Sequence, residues 1–228
     1  YSQEYEKLTA AIEKFYWDEE KGAYIDSFTS GKRNVTRHAN IFAVLFSIAD
    51  KEKQEKILTN VLENEKIPAI TTPYFNFFEL DVLCQMGKLQ EVLDKIRSYW
   101  GGMLDLGAVT FWEEYDPSVP KEEQYDMYGD HFGKSLCHAW AASPIYFLAK
   151  YFAGLDLVNK DGVTYVLKPQ MQYFTDLDCI LPVGSDGTVR LAWDGECLEV
   201  IADAEGGVLE LGEEKISLVR GETRRVKI

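Results

Sequence analysis

Two kinds of apolar segment alternate along the first 154 residues, and this alternation is the feature that most limits the fold. In one kind, apolar residues recur at helical spacing on a single face, which is typical of a helix with one side in water. The other kind is apolar on nearly every side, which is typical of a helix buried all round. One-sided segments lie at 5–16, 57–62 and 89–100, and all-round segments follow them at 39–49, 74–86 and 139–152. This repeated order of outer helix then inner helix predicts stacked α-hairpins in a toroid.

The links between these segments fall into two length classes. Inner-to-outer links are only a residue or two, around positions 50–51 and 87–88, whereas outer-to-inner links cover 17–36, 65–72 and 101–134. Because consecutive helices run in opposite directions, the long links should all emerge on one rim, and long loops on a rigid scaffold usually carry function. Six helices are about half of a twelve-helix (α/α)6 toroid, so we predict half of such a toroid.

The pattern changes after Gly154. Short β-branched runs follow, separated by Asp-Gly and Glu-Gly-Gly turn signals, which is typical of antiparallel strands. The runs cover 163–167, 179–181, 188–193, 197–201, 207–211, 216–219 and 225–228. We therefore predict two domains, a toroid portion over residues 1–155 and a small antiparallel β-sandwich over residues 156–228.

Charge and cysteine spacing limit the possible partners. Twenty-four Lys and Arg residues stand against 38 Asp and Glu residues, a net charge of −14, so neither nucleic acid nor an anionic membrane is an expected partner. The four cysteines have no metal or disulfide spacing, which favours a reducing compartment such as the cytoplasm. The three histidines have no zinc-site spacing, and no phosphate-loop or dinucleotide motif is present, so we expect no metal or cofactor. The chain opens on Tyr1 without an initiator Met or a basic leader, so we expect a piece of a longer protein.

The third long link carries carboxylates beside aromatic residues, in the run Ala-Val-Thr-Phe-Trp-Glu-Glu-Tyr-Asp-Pro at 108–117. Aromatic faces stack on the C–H groups of pyranose rings, and apolar walls raise the pKa of a carboxyl group toward acid or base duty. Glu113 or Glu114 is therefore a candidate catalytic carboxylate for sugar chemistry. The alternative is that both side chains are solvated or cap a helix.

Histidines and one tyrosine are candidate substrate contacts. His138 stands at the start of an inner helix and faces the rim, unless it is a core histidine bonded to a backbone carbonyl. His131, in a glycine-flanked loop, is either a substrate contact or a surface residue, and His38 is similarly open. Tyr74 is the rim exception in a Phe and Tyr cluster, 73–78, that otherwise indicates packing of the inner wall.

Two motifs resemble those of family 78 glycoside hydrolases, the α-L-rhamnosidases. The first is Thr110-Phe-Trp-Glu113, and the second is Gly-Asp-His-Phe-Gly-Lys-Ser-Leu-Cys-His-Ala-Trp-Ala-Ala-Ser-Pro at 129–144. The helix that starts at Pro73 and the sandwich run 181–193 fit the same family in the same order. The resemblance therefore covers nearly the whole chain, and its specificity comes from the two motifs together.

The resemblance implies an inverting hydrolase, in which one carboxylic acid protonates the leaving oxygen and a second carboxylate activates water from the other face. It assigns Glu113 as the general base, His138 as a contact to the rhamnose hydroxyls and Trp112 as a wall of the subsite. The family's general acid lies upstream of Tyr1, so we expect the 228 residues alone to be inactive. The expected substrate is a rhamnose-containing oligosaccharide or glycoside.

Orientation within the motifs can also be predicted. Adjacent residues of an extended segment project in different directions, so Glu113 should face an aromatic-lined concavity while Glu114 points away. Trp140 should pack behind His138 as its support. Tyr74 and His131 complete the candidate substrate-binding set.

Two other functions stay open, and one association is expected. The chain could be a non-catalytic carbohydrate-binding or structural fragment, or it could belong to a different (α/α)6-toroid glycosidase, phosphorylase or lyase.

A half-toroid also leaves the apolar sides of its inner helices uncovered. Exposed apolar patches beyond a few hundred Å² drive association, so we expect self-association through that face, with a symmetric partner in place of the missing half.

Overall fold

A computed structural model of the chain describes residues 1–160, 163–185 and 187–228. The chain divides into two compact units, Tyr1–Ser143 and Pro144–Ile228, while the domain boundary expected after residue 155 stays a prediction. The Asp-Gly turns expected at 161–162 and 186–187 lie wholly or partly outside the described residues. No helix within those residues is long and apolar enough to cross a membrane.

The first unit is helical, and its helices follow the alternation seen in the sequence. Inner helices α2 and α4 pack against each other, and α4 packs against the outer helix α5. A π-helical turn follows α3 at Leu58–Leu62, and another joins α5 to α6 at Ile96–Trp100. The helices are α1 (Ser2–Tyr16), α2 (Arg37–Leu45), α3 (Lys51–Ile57), α4 (Pro73–Gln85), α5 (Leu89–Lys95) and α6 (Gly101–Asp105).

Burial explains why the inner helices are apolar on most sides. Ile41 of α2 and Leu80 of α4 are completely buried. One side of the unit is nevertheless uncovered, because α1 buries none of its residues and Phe46, just after α2, is 61% exposed. Exposed apolar residues therefore lie along the first hairpin of this unit.

The long links are held by hydrogen bonds to a helix or to one another. The first link forms a small hairpin, β1 (Trp17–Asp18) with β2 (Ala23–Tyr24), and the buried Asn40 side chain of α2 bonds both backbone groups of Tyr24 at 2.8 and 2.9 Å. Thr71 of the second link accepts a bond from the Tyr115 amide of the third link at 3.2 Å. The second and third links are thus joined directly.

The third inner segment differs from the continuous helix expected over 139–152. A 3-10 turn covers Ala139–Ala141, then helix α7 (Ser143–Phe147) leads into a π-helical turn, Leu148–Phe152. Pro144 explains the late start, because proline lacks an N–H and fits the first turn of a helix but breaks a helix interior.

The second unit contains two four-stranded sheets with one apolar core. One sheet has the order β10-β7-β6-β5 and the other β3-β4-β8-β9. Large side chains from both sheets, including Tyr165, Leu191 and Leu209, are fully buried in that core. The strands are β3 (Leu155–Lys160), β4 (Val163–Leu167), β5 (Leu177–Val183), β6 (Gly187–Trp193), β7 (Cys197–Asp203), β8 (Gly207–Leu211), β9 (Glu214–Leu218) and β10 (Thr223–Lys227).

One strand pair departs from the antiparallel pattern predicted for the sandwich. β4 and β8 pair in parallel, with Tyr165 opposite Gly207, while the other described pairs are antiparallel. Parallel neighbours need a crossover. Here the chain leaves β4, forms β5, β6 and β7 in the other sheet, and returns as β8 beside β4.

Candidate active site

The Glu113 carboxylate is held by hydrogen bonds on both oxygens. Oε1 accepts a bond from the Tyr128 hydroxyl at 2.8 Å, and Oε2 accepts one from the Ser135 amide at 3.1 Å. Nδ1 of His138 lies 3.9 Å from Oε2. Glu113 is 8% exposed, and its own amide donates to the Ser135 carbonyl at 2.9 Å. Tyr128 of the third link and Ser135, just beyond that link, therefore fix the carboxylate, and Ser135 also fixes the backbone of this residue.

These contacts set the charge of Glu113. The Tyr128 hydrogen bond is the largest influence and lowers the pKa of the carboxyl group, with the Ser135 amide and the charges of His138 and Lys134 acting in the same direction. Burial opposes them, and the net pKa is below the usual value. The expected upward shift from apolar walls is thus outweighed by donors to the ionised form. An ionised carboxylate at neutral pH can accept a proton from water but cannot donate one.

Glu114 has different surroundings. Its Oε1 accepts a bond from the Thr71 hydroxyl at 2.8 Å, and its Oε2 lies 4.0 Å from Nζ of Lys134. The Lys134 side chain is almost buried, and burial lowers its pKa although Glu114 raises it. Glu114 therefore ties the third link to the second, whereas Glu113 is the carboxylate beside His138.

Five aromatic side chains form a continuous series of ring contacts that begins beside Glu113. We call them the aromatic row. Ring centroids lie 4.3 Å apart for His138 and Trp140, 5.1 Å for Trp140 and Tyr74, 5.4 Å for Tyr74 and Phe75, and 4.5 Å for Phe75 and His38. Trp140 is 51% exposed and Tyr74 is 42% exposed. The row thus offers aromatic surface for the C–H faces of a sugar.

Trp140 differs from its expected place behind His138. It lies beside the histidine and between it and Tyr74, with half of its surface in solvent. The physical reason is the 3-10 turn Ala139–Ala141, which interrupts the helix that would have turned this side chain inward. Trp140 is therefore a ring that a ligand can reach.

Two other candidate residues lie apart from the aromatic row. Trp112 is 3% exposed and packs edge-on against Tyr125 at 5.7 Å, so it does not present the exposed wall that was expected. His131 has a side chain 62% exposed, and its Nδ1 lies 2.5 Å from Oδ1 of Asp126. No hydrogen bond or ring contact joins either residue to Glu113 within the described part of the chain.

Sequence reasoning missed Tyr128 and Ser135, the two residues that bond the Glu113 carboxylate. Ser135 acts through its backbone amide, which leaves no signal in the choice of side chain. Tyr128 has a left-handed backbone with φ of +57° and precedes Gly129 with φ of +80°. The Tyr-Gly pair inside a polar loop was a turn signal, but it gave no indication that the tyrosine reaches Glu113.

Within the described residues, no cluster of His, Cys, Asp and Glu is arranged to hold a metal ion.

Comparisons with known proteins bear on the family and the fold of the chain. Residues 1–152 match the family model described as the bacterial alpha-L-rhamnosidase 6 hairpin glycosidase domain. The GH78 family rhamnosidase of Bacillus sp. GL1 is similar in structure, with a TM-score of 0.73 and 24% identity over 93% of this chain. The alpha-L-rhamnosidase from Dictyoglumus thermophilum has a TM-score of 0.64 and 18% identity over 93% of this chain. No curated protein matches the chain.

The chain matches only part of each solved structure, and the similarity concerns the fold. The chain spans 23% and 24% of the two solved structures. At these identities the likeness shows the fold alone, a helical toroid portion followed by a β-rich region. The predicted fold class is thereby confirmed.

Proposed function

The chain belongs to the bacterial α-L-rhamnosidase six-hairpin glycosidase family, and from this premise we propose that it is the C-terminal part of an inverting hydrolase that cleaves terminal α-L-rhamnosides. Family membership makes it part of a glycoside hydrolase. One observation carries the finer proposal: the Glu113 carboxylate, with its lowered pKa, lies 3.9 Å from His138 at one end of an exposed aromatic row.

Glu113 is the general base of the proposed reaction. Its carboxylate takes a proton from a water molecule while that water attacks the anomeric carbon on the face opposite the leaving group. The lowered pKa supports this role, because the group is ionised at neutral pH. The fixed hydrogen bonds hold the carboxylate in place and so reduce the reorientation that the proton transfer needs.

The aromatic row binds the sugar in this proposal. His138 hydrogen-bonds the rhamnose hydroxyls, and the exposed faces of Trp140 and Tyr74 stack on the ring. Trp112 acts from behind, because it anchors the backbone from which Glu113 projects. His131 contacts the part of the substrate beyond the rhamnose ring in this proposal, since its side chain is exposed on the loop that carries Tyr128.

The general acid is proposed to come from helices upstream of this chain. Roughly 6.5 to 9.5 Å separates the two carboxyl groups in an inverting enzyme. Glu114 is held by Thr71 and Lys134, and Glu113 is ionised, so neither is suited to donate the proton. The upstream part of the protein would supply that proton to the leaving oxygen.

The test is a panel of aryl glycosides hydrolysed by the polypeptide that includes the upstream helices. We expect α-L-rhamnoside to be the preferred substrate, and proton NMR to detect β-L-rhamnose as the first product because the configuration inverts. Preference for another sugar would contradict the proposed substrate class, the α-L-rhamnosides. Initial release of α-L-rhamnose would contradict the inverting mechanism.

Self-association of the isolated chain is a separate proposal. An apolar groove of about 460 Å³ runs between α1 and α2, lined by residues that include Leu8, Ile12, Phe15, Phe42 and Phe46. A second copy of the chain would cover this surface. Light scattering at tens of micromolar should therefore detect a dimer that Phe46→Asp weakens. A monomer at that concentration would contradict the proposal.

A further inference from the structure

Tyr128 is an exposed residue that reaches a nearly buried carboxylate. It is 80% exposed, whereas Glu113, which accepts its hydroxyl bond, is 8% exposed. The bond to Glu113 is the one hydrogen bond of this side chain within the described residues. The tyrosine is therefore held at the carboxylate by its hydroxyl more than by burial of its ring.

The backbone of Tyr128 adopts a conformation that bulky residues rarely take. Its φ is +57°, and that of Gly129 is +80°. Met127 and Asp130 exchange backbone hydrogen bonds of 3.0 and 2.9 Å around this pair. Two left-handed residues inside such a pair are typical of a type I′ turn, whose first central position usually holds Asn, Asp or Gly. A bulky residue persists there only where its surroundings impose it, and such positions cluster at functional sites.

The same short stretch of chain controls both oxygens of Glu113. A Cβ atom at Gly133 would lie 2.2 Å from the Met127 carbonyl oxygen, so the turn can lie this close to residue 133 only because that residue is glycine. Two residues later, the Ser135 amide bonds Oε2 of Glu113. Residues 127–135 therefore deliver the Tyr128 hydroxyl to one oxygen and a backbone amide to the other.

We propose that Tyr128 is the positioning residue of Glu113: its hydroxyl, delivered by the turn at 127–130, fixes the carboxylate in one orientation. This inference rests on the proposed function of Glu113 as the base. The other charged or titratable groups near the carboxylate are His138 at 3.9 Å, Lys134, and Glu114 next along the chain. The Tyr128 bond is the largest influence on the Glu113 pKa, so its loss raises that pKa.

Carboxyl ¹³C NMR of the 228-residue chain tests this role without any need for activity. Tyr128→Phe removes only the hydroxyl, and the Glu113 resonance, assigned with Glu113→Gln, should then titrate at higher pH than in the parent. Tyr125→Phe is the matched control, because Tyr125 lies in the same loop but packs against Trp112. Its Glu113 titration should equal that of the parent. An unchanged titration in Tyr128→Phe would overturn the proposal.

Kinetics of the polypeptide that includes the upstream helices give the second readout. The acidic limb of kcat/KM reports the base of the free enzyme. Tyr128→Phe should move that limb to higher pH and lower kcat about tenfold on its acidic side, with a smaller change in KM. Tyr128→Asn, which suits a left-handed backbone, should give the same shift and guards against poor folding of the first variant.

The two proposals fail in different ways. Retention of activity by Glu113→Gln would end the proposed function. Loss of activity in Glu113→Gln, together with an acidic limb that stays in place in Tyr128→Phe, would end the positioning role alone.

Discussion

Two buried carboxylates occupy different regions of the first unit and have opposite surroundings. Glu79 of α4 lies between helices, 2% exposed, and its Oε1 contacts Nη1 of Arg37 at 2.8 Å and also Nζ of Lys95. Glu113 lies on a long link, and its closest donors, Tyr128 and Ser135, are neutral. Full positive charges surround one carboxylate, while neutral donors hold the other.

The difference indicates what each carboxylate can do. The Glu79 carboxylate compensates the buried Arg37 and the partly buried Lys95 and so links α2, α4 and α5. Its loss would leave Arg37 as an uncompensated charge in the interior. Glu113 is fixed but not neutralised, and it lies beside exposed rings that a sugar can approach. Glu79 therefore serves stability, whereas Glu113 is the carboxylate for which we propose a chemical role.

The largest expected effect concerns the isolated chain. Without a general acid the leaving group departs as an alkoxide, which costs on the order of 10² to 10⁴ in rate. We expect no measurable hydrolysis of a natural rhamnoside by the 228 residues, a trace with an activated aryl rhamnoside, and recovery when the upstream helices are restored. Cleavage of an unactivated rhamnoside by the isolated chain, lost in Glu113→Gln, would show that the acid lies within this chain, at Glu114, Asp116 or Asp130.

The next largest effect is on the free energy of unfolding, which should fall more when Glu79 is replaced than when Glu113 is replaced. Glu79→Gln should lower the free energy of unfolding by about 3 to 5 kcal/mol, because Arg37 and Lys95 lose their buried partner. Glu113→Gln should cost about 1 kcal/mol, since it weakens hydrogen bonds without stranding a full charge. Urea unfolding of the 228-residue chain measures both. Equal losses would remove the distinction between the two regions.

Binding of L-rhamnose should depend on the aromatic row and not on exposed aromatic side chains elsewhere. Trp140→Ala should weaken L-rhamnose binding about tenfold, because one stacking face is lost. Phe28→Ala is the control, since Phe28 is also 51% exposed but packs against Phe15, outside the aromatic row. Calorimetric titration of the polypeptide with the upstream helices measures both affinities. Similar losses in the two variants would contradict a specific site at Trp140.

The smallest effect is a pH dependence. The Tyr128 bond, the Ser135 amide and the nearby positive charges lower the pKa of Glu113. A group whose pKa is lowered by folding stabilises the protein above its unfolded pKa, and this contribution is lost as the pH falls through the folded pKa. The difference in free energy of unfolding between the parent and Glu113→Gln should therefore shrink as the pH falls below about 4.3, the ordinary pKa of Glu. A constant difference over that range would contradict the assignment.

Patterns of burial made the helical half of the fold predictable. A helix that packs on most sides must be apolar on most sides, so the inner segments stood out. The parallel pairing of β4 with β8 was not predictable in the same way. Strand patterns indicate which face is buried, whereas the choice of neighbour depends on a crossover through the other sheet.

Site residues were predictable only where a motif carried them. Glu113 and His138 were singled out by motifs and lie 3.9 Å apart. The burial of Trp112 and the exposure of Trp140 depend on packing with Tyr125 and on a local 3-10 turn, which side-chain type does not reveal. Tyr128 reaches Glu113 through a left-handed turn, and that contact is visible only in three dimensions.

The most direct test of the central claim compares Glu113→Gln with Glu114→Gln in the polypeptide that includes the upstream helices, on an unactivated rhamnoside. We expect Glu113→Gln to remove about 3 to 6 kcal/mol of transition-state stabilisation, measured as a fall in kcat, because the base is lost. Glu114→Gln should change kcat by less than about tenfold, since Glu114 bonds Thr71 and faces Lys134. Near-normal turnover in Glu113→Gln with loss of turnover in Glu114→Gln would contradict the central claim.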